Sequence, residues 1–179
     1  KPYHPDRASR GMDATERRQL ATVADYQFGR GAGAALFPDD EEPEVRRTTS
    51  GRPSQIHVGP DAGGHDDLGR PAGERLVSYG DDGRFRLGLA GGRRLIDALP
   101  EPTARVVVGD ESEPFVREGK NVFAKFVQAV GSEIRPGDEV AVVHEEGRLL
   151  AVGRAELPAS AIETFDTGMA VKVKSGNKG

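Results

Sequence analysis

The sequence has no cysteine, which removes disulfide frameworks, thiolate metal sites and cysteine nucleophiles in one step. It has no run of about 18 apolar residues, and its first residues lack the apolar core of a signal peptide. Neither a membrane span nor secretion is expected, and the expected compartment is the cytoplasm. A broad excess of positive charge is also missing, because 25 Lys and Arg face 29 Asp and Glu for a formal net charge of −4. The balance holds along the chain, with 15 bases against 16 acids over residues 1–100 and 10 against 13 over residues 101–179. Strong non-specific duplex binding is therefore not expected, and any nucleic-acid contact must use a local basic patch. No repeat of fixed period appears.

What is present is a globular composition, 36% hydrophobic, with a length that permits one domain or two small ones. Arginine outnumbers lysine 19 to 6, and acids run together at Asp39, Asp40, Glu41 and Glu42. Such a surface keeps its hydration at high salt, so a halophilic cytoplasm is one reading and an arginine-rich coding bias is the other.

Residues 1–12, with Pro2, Pro5 and Gly11, have no apolar period and read as a flexible arm. Asp13 or Thr15 can then cap a helix in which Leu20, Val23, Ala24, Phe28, Ala35 and Leu36 recur at helical spacing toward Pro38. Short strands are expected near residues 45–49, 54–58, 74–79 and 84–87, with Gly80, Asp81, Asp82 and Gly83 as a hairpin turn. Residues 59–73, rich in Gly, Pro and Asp, read as an exposed loop. A short helix over residues 88–99 stops at Pro100 and closes the first domain, 13–100. After Pro102, strands are expected at residues 105–108, 121–127, 139–143, 149–155 and 169–174, with short helices at 111–118 and 159–165. In the 121–127 strand apolar residues occupy both faces, so both are expected to be largely covered, with Lys125 near an exposed edge. The fold class is α+β: a small N-terminal α/β domain, then a mixed β pseudobarrel over residues 103–179.

Within the second domain four motifs follow in order: Gly119-Lys120-Asn121-Val122-Phe123-Ala124-Lys125-Phe126-Val127, Ile134-Arg135-Pro136-Gly137-Asp138-Glu139-Val140, Leu149-Leu150-Ala151-Val152-Gly153-Arg154-Ala155 and Gly168-Met169-Ala170-Val171-Lys172-Val173. This stretch, about residues 103–175, resembles a PUA domain. The upstream segment from Ala24-Asp25-Tyr26-Gln27-Phe28-Gly29-Arg30-Gly31-Ala32-Gly33 to Asp82-Gly83-Arg84-Phe85 is similar to the small domain preceding the PUA in archaeal archaeosine tRNA-guanine transglycosylases. The catalytic barrel of those enzymes, with its carboxylates, has no counterpart here. The resemblance therefore implies a non-catalytic binder of tRNA or another structured RNA. The alternatives are a tRNA-presenting subunit of a separate RNA-modifying enzyme, and a protein-interaction module.

By the same resemblance RNA lies against the first helix, the glycine-led loop and the last strand, which makes Arg117, Gly119, Lys120, Asn121, Lys172 and Lys174 the candidate binding residues. Gly119 leaves room for a phosphate or ribose to approach the main chain, and serves equally as a helix C-cap. Arg117, Lys120, Lys172 and Lys174 can make charge-assisted bonds to phosphate, against the alternatives of ordinary solvation or protection of a strand edge. Arg46, Arg47 and Arg52 form a second basic group, read as a solvated face.

No catalytic residue and no cofactor is implied. Gly29-Arg30-Gly31-Ala32-Gly33 lacks the preceding strand that a phosphate loop needs, so it reads as close packing. His65, Asp66 and Asp67 lie in a loop too glycine-rich to cage a metal, and His57 and His144 have no recognisable triad partners.

Overall fold

The computed structural model describes residues 11–179 apart from residues 66, 70 and 71. The described residues form two compact units that divide between Gly91 and Gly92.

In the first unit Asp13 accepts the Glu16 amide at 2.8 Å and caps α1 (Ala14–Phe28). Leu20, Ala24 and Phe28, four apart, form its buried face. The helix does not run on to Pro38 as the periodicity suggests. Gly29 at φ 115° and Gly31 at φ 99° break it, and α2 (Ala32–Leu36) restarts from there. A Cβ on Gly33 would lie 2.3 Å from the Ala21 carbonyl oxygen, so this glycine lets the two helices touch.

Four strands follow as an antiparallel meander: β1 (Glu44–Arg47), β2 (Pro53–Val58), β3 (Glu74–Tyr79) and β4 (Phe85–Leu87). The Gln27 side-chain amide bonds both main-chain groups of Phe85, at 2.7 and 2.8 Å, and ties α1 to β4. Phe85 is fully buried between Phe37 and Tyr79, at ring separations of 5.6 and 5.0 Å.

Two further expectations are corrected in this unit. Of the arm at residues 1–12, residues 1–10 lie outside the described residues, but Met12 is buried and the Gly11 carbonyl accepts from Arg47 at 3.0 Å. Ordered structure therefore begins ahead of the helix. Arg47 and Arg52 are not a solvated face either. Arg47 forks onto the Glu16 carboxylate at 2.6 and 2.8 Å, and Arg52 bonds the Gly80 carbonyl and the Asp81 carboxylate. Both are half-buried braces whose acidic partners come from distant segments rather than from the neighbouring acidic run.

α3 (Leu89–Ala98) contains the division between the units. The second unit is built on β5 (Arg105–Val108), α4 (Glu113–Arg117), β6 (Val122–Phe123), β7 (Val127–Val130), β8 (Glu139–His144), β9 (Leu149–Ala155), α5 (Ala159–Thr164) and β10 (Met169–Gly176). Its strands lie in the order β6-β10-β9-β8-β5-β7, with β5 and β8 parallel and the other pairs antiparallel. One 3₁₀ turn, Ala124–Phe126, joins the two outermost strands, so the sheet nearly closes into a pseudobarrel. The single strand expected at 121–127 is thus two strands and a turn. Val106, Val108, Val140, Val142, Leu150 and Val171 lead the packed core, and every residue of β8 is buried. Among the described residues no helix is long and apolar enough to cross a membrane.

Candidate nucleic-acid interface

The five-residue helix α4 ends in a paired set of bonds, Gly119 N–H to Val116 O at 2.9 Å and Lys120 N–H to Phe115 O at 3.0 Å. This is a Schellman closure, and it requires Gly119 at φ 100°. The cap is real, yet the space a Cβ would occupy at Gly119 has no atom within 4 Å. Capping and openness to solvent coexist at this residue.

The loop is fastened to the last strand. Asn121 accepts the Val173 amide on its Oδ1 at 3.0 Å. A Cβ on Gly176 would lie 2.1 Å from the Arg117 carbonyl oxygen and 2.9 Å from the Gly119 nitrogen, so β10 passes directly against the helix end. Lys172 and Lys174 flank Val173 on that strand and are exposed, as is Lys120. Lys172 stands opposite Arg154 of β9, and Lys174 falls where the β9–β10 register shifts. The three ammonium groups form no hydrogen bond or ion pair among the described residues.

Arg117 sits differently from these lysines. It is half-buried, held by Glu113 at 2.8 Å and donating to the Asn177 carbonyl at 2.8 Å. Asn121 is likewise engaged through its carbonyl oxygen. The six candidates therefore divide into three free cations, one open glycine and two braces. Sequence spacing offers only the Glu113–Arg117 pair four residues apart; the other two brace partners, Val173 and Asn177, come from the far end of the chain.

Glu113 is the hub of the bracing. It accepts from Arg117 and, at 2.9 Å, from Arg148 on the β8–β9 hairpin, and Arg148 also reaches Glu146 at 3.0 Å. Hydrogen bonds from Arg148 first, then Arg117, hold the Glu113 carboxyl down at about 2, against 4.5 for the free group, and raise Arg148 in turn. The folded state therefore gains from this carboxylate above pH 4.5, and the gain is lost as pH falls through the interval down to about 2. Glu113→Gln is expected to flatten the stability profile across that interval. Chemical denaturation of both proteins at steps from pH 5 to pH 2 checks it, and parallel profiles would refute it.

An aromatic hollow escaped the sequence reading. Phe115, Phe123 and Phe126 are exposed by 59%, 46% and 36%, and with Val116, Val122 and Lys120 they line a cavity of about 270 Å³ beside the loop. Lys125 Nζ stands 5.0 Å from the Phe126 ring centre. Alternation suggested covered faces here, but the 3₁₀ turn ends the strand pattern and leaves the rings outside. Three phenylalanines around a Gly-Lys turn were the available signal.

Asp110, His144 and Glu145 bring three potential metal-ligand atoms within 4.8 Å. The Nδ1 of the fully buried His144 accepts the Glu146 amide at 3.0 Å, so its Nε2 carries the proton and donates to Asp110 at 2.5 Å. A proton occupies the position where a metal would need a lone pair, and the cluster is a hydrogen-bonded brace. His57 Nε2 bonds the Gln55 side chain at 3.0 Å.

A nearly closed mixed sheet, with a glycine-capped helix end seated against its last strand, defines the class. Residues 104–176 are a PUA domain, preceded over residues 18–102 by a match to the patch-forming domain C2 of tRNA-guanine transglycosylase. The chain is 42% identical over 158 residues to the tRNA-guanine(15) transglycosylase of Pyrococcus furiosus, a match covering 88% of this chain and 24% of that protein. It thus spans about a quarter of the length of the curated relatives it matches. Its fold is shared by a hypothetical protein from Pyrococcus horikoshii, at TM-score 0.69, 20% identity and 94% coverage of both chains. A conserved PUA domain protein from Thermoplasma acidophilum matches at TM-score 0.63 and 19% identity, covering 93% of this chain and 91% of that one.

Proposed function

We propose that this chain binds tRNA or another structured RNA through its PUA domain and performs no catalysis of its own. The observation that carries the reading is the loop at Gly119 seated against β10, which brings the segments bearing Lys120, Lys172 and Lys174 together beside an aromatic hollow. In an otherwise acidic half, these three unpaired cations suit phosphate oxygens, and the Phe115, Phe123 and Phe126 rings suit the face of an unpaired base. An A-form helix exposes ribose and phosphate in a shallow groove, which backbone amides and lysines can follow without reading sequence.

The kinship with part of a tRNA-modifying enzyme favours a second, compatible role, in which the chain presents tRNA to a separate catalytic subunit. Copurification of a transglycosylase from native lysate supports that role.

Filter binding of tRNA to the full chain tests the main reading. Three phosphate contacts contribute a slope of log affinity against log salt of roughly −2.1 to −2.7, so affinity is expected to fall by at least about 20- to 40-fold between roughly 50 and 200 mM salt. A chain with no tRNA affinity at the lower salt is an interaction module instead.

A further inference from the structure

Arg18, Thr22 and Tyr26 stand four residues apart on α1 and so form one stripe, with Arg30 just beyond the helix end. All four are exposed, Tyr26 by 95%. The guanidinium groups of Arg18 and Arg30 meet no partner among the described residues. This sets them apart in their unit, where Arg17, Arg46, Arg47 and Arg52 each donate to a main-chain carbonyl. The adjacent acid is already engaged, since Asp25 accepts the Gly33 amide at 2.7 Å.

We propose that this stripe of the first unit is a second RNA contact, with Arg18 and Arg30 on phosphate oxygens and the Tyr26 ring stacked on an unpaired base. The inference rests on the RNA-binding reading of the PUA domain and adds a site to it. Beside Tyr26 on α1 stand the exposed Thr22 and Asp25, with half-buried Val23 the one apolar neighbour, so the ring lacks the continuous apolar rim that seats a protein partner. An aromatic face between two unneutralised cations matches a polyanion that also offers π-faces. At 1.5 Å per residue the distance along the helix from Arg18 to Tyr26 is about 12 Å, enough for the cation and the ring to meet different nucleotides.

The chain has no tryptophan, so Tyr26→Trp creates a single fluorescent reporter at the site. Adding tRNA to the full-length variant is expected to quench its emission with the midpoint measured by filter binding. Arg18→Gln with Arg30→Gln is expected to weaken tRNA binding about 5- to 20-fold and lower the salt slope by roughly 1.4 to 1.8, as two lost phosphate contacts require. Thermal midpoints should stay within a degree or two, because the side chains are exposed. Unchanged emission on saturation, with the double variant binding like the parent, overturns the inference and leaves the PUA reading standing. Absence of tRNA binding by the parent chain overturns both.

Discussion

Charge reversal at Lys120 and Lys172 together is expected to weaken tRNA binding about 30-fold at low salt. Each lysine is exposed and has no partner within the described protein, so its substitution removes an external contact and nothing internal. A charge-assisted hydrogen bond is worth about 1 kcal/mol or more, and two such losses multiply to that factor. The salt dependence should flatten by roughly 0.7 to 0.9 per contact, and the loss should be similar across RNA sequences. Reversal at Arg135, exposed in the turn before β8, is the control. If the lysine variant binds as tightly as the parent, the RNA surface lies elsewhere on the chain.

Gly176→Ala is expected to damage both stability and binding. Its added methyl would stand 2.1 Å from one main-chain atom and 2.9 Å from another, the Arg117 oxygen and the Gly119 nitrogen. Backbone cannot rotate away as a side chain does, so either β10 or the loop must shift. Overpacking of this sort costs about 1 to 3 kcal/mol, which lowers the melting temperature of a unit this size by roughly 5 to 15 °C. Because the displaced loop carries Lys120, tRNA affinity should fall well below the folded fraction's share. Gly119→Ala makes the comparison sharp. It strains a positive φ but meets no protein atom, so it should cost about 1 kcal/mol without displacing β10, and any fall in affinity then reports the room lost to phosphate rather than a shifted strand. Equal melting temperatures for Gly176→Ala and the parent would mean the strand and loop are not in contact in solution.

The order of elements was legible from local chemistry. β-branched runs such as residues 105–108 and 139–143 have no comfortable place but a buried strand, and Gly83 and Gly147 mark turns by the backbone angles they allow. The succession of four short motifs carried the PUA resemblance, and the close packing of Gly33 was readable because no strand preceded its glycine cluster, whereas Gly29 and Gly31 serve instead to break the helix. These are properties of segments a few residues long, and segments keep them wherever they are placed.

Interactions between remote segments were not legible. Arg117 is a brace because Glu113 and the Asn177 carbonyl converge on it, and Arg47 is one because Glu16 does; neither Asn177 nor Glu16 is near its arginine in sequence. Phe123 and Phe126 face outward because the strand turns at Ala124 to reach the other edge of the barrel, a demand of closure that alternation cannot register. Sequence by itself determined which residues could meet RNA phosphates, through charge and a glycine-led turn. Which of those residues remain free to do so was decided by tertiary structure alone, because a cation is available to a ligand only when the fold brings it no internal acceptor.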